Sequence, residues 1–288
     1  MLKCVVFLVT AYYYEVLLTK KEMITAQLLP DKIETVIMNA EDKEQILDKA
    51  YDGKYRKEEQ LFITDSREVL TQLLKETFYA IPLYHEKNRE TFFTGAAYAV
   101  EDLEQMDFRS YDAAYRRLAG LPINILETER LKVRESTVSD VKDFYRIYKD
   151  PSITYYMEDL FQDPDEEKAY MESYISQMYG FYGFGMWTVI LKETKEVIGR
   201  AGLSVREGYD LPELGFVIDV PHQGRGFAYE VCSTILTYAK EELFFEKVQA
   251  LAEEENDISI RLLKKLGFQC EGNIVENDQK YKFMIKQL

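Results

Sequence analysis

Alternation and helical spacing divide the chain into short strands and amphipathic helices. EQLFITDS (59–66) reads as a strand ending in a polar turn. REVLTQLLKET (67–77) then carries apolar residues at helical spacing, with Ser66 as N-cap. FYAIPLYH (78–85) predicts a second strand, TGAAYAVED (94–102) a third, and DFRSYDAAYRRLAG (107–120) a helix closed by Gly120. The opening MLKCVVFLVTAYYYEV has a short apolar core and no small-residue cleavage site, so it reads as a buried strand or helix start rather than a signal peptide. Strand–helix–strand order predicts a small parallel sheet.

A helix ending at Gly120, followed by the Pro-containing LPIN, marks a boundary near residue 122 and two domains, 1–122 and 123–288. In the second domain ERLKVRES reads as a strand, and TVSDVKDFYRIYKD as a helix capped by Ser136 or Thr137. DEEKAYMESYISQMYG gives a second helix. GMWTVILK and EVIGRAGLSV form a hairpin about Glu193–Lys195, and PELGFVIDV is a further strand. A glycine turn leads into a long helix from Ala228 to Leu243; strand KVQALAEE, helix DISIRLLKKLGF and strand QKYKFMIKQL follow.

Composition narrows the function. Net charge is −15 over 288 residues, which argues against nucleic acid, whose phosphates need a basic face. Such a surface suits cationic small molecules or simple solubility. No run of about 18 apolar residues predicts a membrane span. Three scattered cysteines and two histidines, with no CxxC, argue against a disulfide framework or structural zinc; no metal is expected, and the reducing cytoplasm is the expected compartment.

The most informative stretch is VPHQGRGFAYEV (220–231). A strand entering a helix through glycines presents free N–H groups and the positive end of the helix dipole, a geometry suited to pyrophosphate. Gly224 and Gly226 permit φ > 0 and close backbone approach; Gln223 and Arg225 add donors. The stretch is neither a Walker A loop nor the dinucleotide GxGxxG. With Gln223, Gly226 and Ala228 it resembles the Q-x-x-G-x-A acyl-CoA signature of the GNAT N-acetyltransferase superfamily. NDISIRLLKKLGF (256–268) is similar to that family's N-x-x-[SA]-x-x-L-x-x-K-x-G-F segment. PELGFVIDV resembles the E-[IL]-G-[YF] strand of its ribosomal-protein N-terminal acetyltransferase branch. The resemblance covers about residues 125–288 and implies a mixed central sheet, splayed between its fourth and fifth strands.

That resemblance implies acetyl-CoA as co-substrate and direct acetyl transfer to a primary amine, either a protein N-terminus or a small amine. Pantetheine would lie along Phe216, Val217 and Ile218, and pyrophosphate on Gln223, Gly224, Arg225, Gly226, Phe227 and Ala228. Asn256 would contact the pantetheine arm or the loop, or cap the next helix. An N–H at or near Val217 would serve the oxyanion. Glu213 is the candidate base, with a solvated strand-end acid as its other reading. The position where many relatives carry an acid-donating tyrosine is Leu263, so Tyr281 is the candidate substitute. Glu230 reads as structural, and His222 as a phosphate contact or an exposed strand-end residue. YGFYGFGMW (179–187) reads as a mobile flap or as a loop and edge strand packed on the core, and AEEEN (252–256) as a lure for cations or a solvated strand end.

The first domain, a small α/β domain, is faintly similar to half of a haloacid-dehalogenase-like or other Rossmann-like domain, on LFITDS and element order, but has no D-x-D-x-T. Asp65 is either a strand-end catalytic carboxylate or a cap for the next helix. This domain would restrict access, bind the acceptor or form a homodimer. The whole reads as a bacterial enzyme. Its alternatives are an acyl-CoA sensor with an inactive transfer site and a phosphatase-like enzyme fused to an inactive transferase fold.

Overall fold

The computed structural model describes residues 1–40 and 54–288. The chain forms two compact units, Met1–Leu121 and Pro122–Leu288.

The first unit opens with β1 (Cys4–Val9), helix α1 (Ala11–Leu28) and β2 (Glu34–Asn39). It continues with β3 (Gln60–Thr64), α2 (Arg67–Lys75), β4 (Ala80–Pro82) and α3 (Phe108–Leu118). The sheet order is β2-β1-β3-β4, and every pairing is parallel. Burial on both faces explains the unbroken apolar run CVVFLV. Val5, Phe7 and Val9 meet Leu17 and Ile24 of α1 and Tyr111 and Tyr115 of α3; Val6, Leu8 and Phe62 meet Leu70 and Leu73 of α2. Ser66 caps α2 by accepting from the Val69 amide, and Gly120 takes φ +62 just past α3.

Two expectations change here. TGAAYAVED forms no strand: Gly95 turns at φ +84, and only Val100 bridges, to Leu83. The Glu34–Asn39 strand, not read in the sequence, instead completes the sheet beyond β1.

The second unit begins with a hairpin, β5 (Asn124–Glu127) and β6 (Leu131–Arg134), where a single strand was expected. Thr137 and Asp140 form a reciprocal capping box over a 3₁₀ turn that leads into α4 (Val141–Tyr148). The short α5 (Pro151–Thr154) and α6 (Pro164–Tyr174) follow, and α6 runs into a π-helical segment, Ile175–Tyr182. Then come β7 (Met186–Leu191), β8 (Val197–Ser204), β9 (Glu213–Ile218) and α7 (Phe227–Glu241). β10 (Lys247–Glu253), α8 (Asp257–Lys265), β11 (Gln269–Glu276) and β12 (Gln279–Gln287) complete it.

The eight-stranded sheet has the order β11-β12-β10-β9-β8-β7-β6-β5 and is mixed: β9 and β10 run parallel, while every other neighbouring pair is antiparallel. α7 and α8 pack on one face through Val231, Ile235, Ile260 and Leu263, and α4 and α6 supply Phe144, Ile147 and Met171 to a second cluster with Val217. Of the aromatic–glycine stretch, Tyr179, Phe184 and Trp187 are buried while Phe181 and Tyr182 are exposed at the end of the π-helical segment, and no edge strand forms there. β7 lies inside the sheet, and Trp187 is wholly buried, so truncation to alanine would cost about 3–5 kcal/mol. Among the described residues, no helix is long and apolar enough to cross a membrane.

Candidate functional site

The sheet opens in one place. β8 and β9 pair at six positions, from Gly199↔Ile218 to Ser204↔Glu213. β9 and β10 pair at one, Gln249↔Glu213, supported by Gln249 N–H donating to Pro212 O at 2.9 Å. The strands therefore diverge from Glu213 towards Ile218. Phe216, Val217 and Ile218 lie along the opened stretch, with Val217 and Ile218 buried and Phe216 half-buried. An opened parallel edge offers backbone donors and acceptors to an extended ligand carrying amides.

The opened strand ends at the glycine turn. Val220–His222 form a 3₁₀ turn, and Gln223 Nε2 donates back to Ile218 O at 2.8 Å, fastening the loop to the strand. Gly224 and Gly226 both take left-handed backbone, φ +70 and +82, and Gly226 is the N-cap of α7. A Cβ on Gly224 would meet nothing within 4 Å, and one on Gly226 would meet Arg130 Nη2 at 3.6 Å. Glycine is thus needed for conformation more than for space. Phe227 is buried beneath the loop with the Arg130 and Arg225 guanidinium groups over its ring, at 4.3 and 4.9 Å.

Arg130 escaped the sequence analysis. Its Nη1 donates to Arg225 O at 3.0 Å and its Nε to Glu230 Oε2 at 2.7 Å, so it braces the loop and the first turn of α7 together. Glu230 also accepts from the Arg130 amide and the Thr128 hydroxyl. Burial opposes ionisation of Glu230, but Thr128 and Arg130 hold its carboxyl below the usual range. The only trace of this brace in the sequence is an arginine preceding an alternating strand. With the α7 N-terminus, the two arginines form a site suited to an anion.

Glu213 stands where β9 and β10 last touch. Burial raises its carboxyl above the ordinary range, against the pull of Arg206 and Gln249. Arg206 Nη1 lies 3.3 Å from Glu213 Oε1, and its Nη2 reaches Glu276, whose other oxygen accepts from Tyr209 at 2.7 Å. Tyr281 pairs across the strands with Glu253, and its hydroxyl is raised by burial first and then by that carboxylate. Tyr156 donates to Glu255 O at 3.2 Å, so aromatic hydroxyls and acids gather at this end of β10.

Other expected residues settle into definite roles. Asn256 caps α8 by accepting from Ser259 N at 3.0 Å. Leu263 is wholly within the core. Within the AEEEN run, Glu254 pairs with Lys282 at 3.3 Å. His222 is not exposed: it is buried, with Nε2 3.6 Å from Glu196 and Nδ1 3.9 Å from Asp219. Among the described residues, Glu196, Asp219 and His222 are the one cluster whose spacing could hold a metal, and Arg146 already brings a cation to Asp219. Asp65 does not cap α2. It accepts from Thr10 N at 2.7 Å, Thr10 Oγ1 at 2.6 Å and His85 Nε2 at 3.2 Å.

The family description "Acetyltransferase (GNAT) domain" matches residues 130–269. The uncharacterized N-acetyltransferase p20 of Bacillus licheniformis is 32% identical over 149 residues, 51% of this chain and 83% of its own length. The uncharacterized N-acetyltransferase YoaA of Bacillus subtilis is 30% identical over 149 residues, 51% of this chain and 84% of its own. Among solved structures, the ribosomal L7/L12 alpha-N-protein acetyltransferase RimL superposes with a TM-score of 0.51 at 13% identity, covering 58% of this chain and 96% of that one. At that identity the likeness speaks for the fold alone.

Proposed function

Because this chain belongs to the GNAT acetyltransferase family and is an N-acetyltransferase, we propose that its co-substrate is acetyl-CoA, held between β9 and β10, and that its acceptor is a primary amine. The observation that carries this is the opened β9 edge running directly into a left-handed glycine turn and the N-terminus of α7. The residues fit the ligand's two chemistries. Phe216, Val217 and Ile218 offer backbone to the amides of the pantetheine arm. The turn from Gln223 to Ala228, with Arg225 and Arg130 beside it, suits the diphosphate. Asn256 holds the start of α8 near that arm while capping the helix.

The transfer needs a base, an oxyanion donor and a route for the proton. Glu213, raised by burial, accepts the acceptor's ammonium proton directly or through water, leaving a nucleophilic amine. A main-chain N–H at or beside Val217 stabilises the developing oxyanion. Tyr281, kept protonated by its surroundings, delivers a proton to the departing sulfur. A thiol of pKa about 8.5 departs with little help, so this last contribution is the smallest. No nucleophilic side chain is required, and transfer is direct. The acceptor is a protein N-terminus or a small amine.

The test is thiol release from acetyl-CoA across a panel of amines and N-terminal peptides. Acceptor-dependent release supports the reading; acetyl-CoA binding without release by any acceptor contradicts it. One observation favours a second reading, an acyl-CoA sensor: Leu263 occupies the usual tyrosine position and is sealed in the core.

A further inference from the structure

The arginines built into the edge of the second unit's core are paired with acids. Arg134 binds Asp140 at 2.6 and 2.7 Å, Arg146 binds Asp219, and Arg206 spans Glu213 and Glu276. Arg200, on β8, differs. It is 8% exposed, and its Nε is buried with no acceptor. Its guanidinium lies over the Phe144 ring at 4.6 Å, and its strongest titratable neighbours are tyrosines, Tyr148, Tyr174 and Tyr179, rather than carboxylates. The Tyr148 hydroxyl is its hydrogen-bonding neighbour. A hydroxyl oxygen has two lone pairs, whereas a guanidinium has five N–H donors in a fixed fork. A desolvated guanidinium whose Nε–H has no acceptor costs free energy that a bound anion would return.

Strand register fixes where this fork lies. Arg200 is opposite Val217, Gly202 opposite Gly215, and Ser204 opposite Glu213. Alternation therefore puts Arg200, Val217, Gly215 and Glu213 on one face of the sheet. Val217 and Glu213 are four residues apart, about 13 Å along the strand. Between them the Cβ position of Gly202 is taken by the Gly185 backbone, so the way along this face runs over Gly215, where the unbranched Met186 thioether lies and a Cβ would meet its Sδ at 3.0 Å. Met is a flexible filler that can yield to a ligand.

We propose that Arg200 is the anchor for a carboxylate carried by the acceptor, so that the acceptors are amino acids or other amines bearing a carboxylate. This rests on acetyl transfer at the β9–β10 opening. A planar carboxylate matches the guanidinium fork bidentately, and a site built to bind it discriminates strongly against an analogue lacking it. The acceptor, rather than the acyl donor, brings the charge because Arg200 and Glu213 share a sheet face, whereas the strand opening lies at the far edge of β9.

The experiment uses the full chain and acetyl-CoA with matched pairs: α-amino acids and ω-amino acids of increasing length, each against the amine of equal length without the carboxylate. For at least one pair the carboxylate member is expected to be better by about tenfold or more in kcat/KM, and Arg200→Gln to reduce that preference to within about twofold by raising KM for that member alone. Arg200→Lys should keep part of it. Equal use of both members at every length, a preference that survives Arg200→Gln, or a preference appearing only with succinyl-CoA and plain amines overturns the proposal. Binding separates this from the transfer chemistry. Glu213→Gln should lose turnover but still be thermally stabilised by the preferred carboxylate acceptor in the presence of CoA, and Arg200→Met, whose apolar chain suits the site, should not. If no acceptor is turned over, the same thermal shift decides: no carboxylate-dependent stabilisation of the wild-type protein also overturns it.

Discussion

Both units have a parallel strand pair whose carboxyl ends invite a ligand, and they treat that place in opposite ways. In the first unit the chain leaves β1 for β2 on one side and returns to β3 on the other, so the crevice beyond β1 and β3 is a topological switch point, the usual ligand position in an open α/β sheet. That crevice is closed by the protein's own groups. Thr10, at the end of β1, gives both its amide and its hydroxyl to Asp65 after β3, and His85 after β4 adds a third contact. His85 Nδ1 also accepts from the Lys87 amide at 3.2 Å, so both ring nitrogens are engaged. In the second unit β9 and β10 part after one pairing, and the side chains that tie the loop beyond them, Gln223 to Ile218 O and Arg130 to Arg225 O, fasten its frame without bridging the two strands, while two left-handed glycines keep its backbone open. Strand ends become a site when their polar groups are left to a ligand, and a structural knot when the chain satisfies them itself.

Four substitutions probe this contrast. The largest effect falls on the base: Glu213→Gln should lower kcat by about 10²–10⁴-fold while leaving acetyl-CoA affinity unchanged by calorimetry. An unaltered kcat would move the base elsewhere. Next, Gly226→Val forces a β-branched residue to φ +82 and should weaken acetyl-CoA binding by roughly 10- to 100-fold. Unchanged affinity would remove the turn from the site. Asp65→Ala leaves the Thr10 amide and hydroxyl without their acceptor and should cost about 3 kcal/mol in denaturant unfolding, with acetyl-CoA affinity and kcat unaffected. A loss of activity at unchanged stability would make the knot a site after all.

The smallest effect is one of pH. The charge of Arg206 lowers the Glu213 carboxyl, so Arg206→Gln lets burial raise it further. Because the base acts deprotonated, the acid limb of kcat/KM should move to higher pH. An unmoved limb would uncouple the two groups.

What was legible in the sequence follows the same division. The opened sheet, its glycine turn and the elements around it carry strong local signals: alternation in PELGFVIDV, left-handed glycines, and helical spacing in DISIRLLKKLGF. The parallel sheet of the first unit followed from element order, whereas the mixed sheet of the second came from the family resemblance. β11 did not, because an edge strand exposed along most of its length has no apolar alternation to read. TGAAYAVED misled because its apolar run Ala96–Val100 resembles a strand, yet Gly95 turns at φ +84 and only Val100 bridges, to Leu83. Arg130, Arg206 and the Thr10–Asp65–His85 knot were invisible for a different reason. Each joins residues distant in the chain, such as the 100 positions between Arg130 and Glu230, and no spacing rule reports on such pairs.

Amide hydrogen exchange with and without acetyl-CoA reports which backbone groups are left for a ligand. Binding should slow exchange across 214–218 and 223–228, with no change across 62–66. Binding with no added protection in those two segments, or with protection gained at the ends of β1 and β3 instead, would contradict a ligand held at the β9–β10 opening.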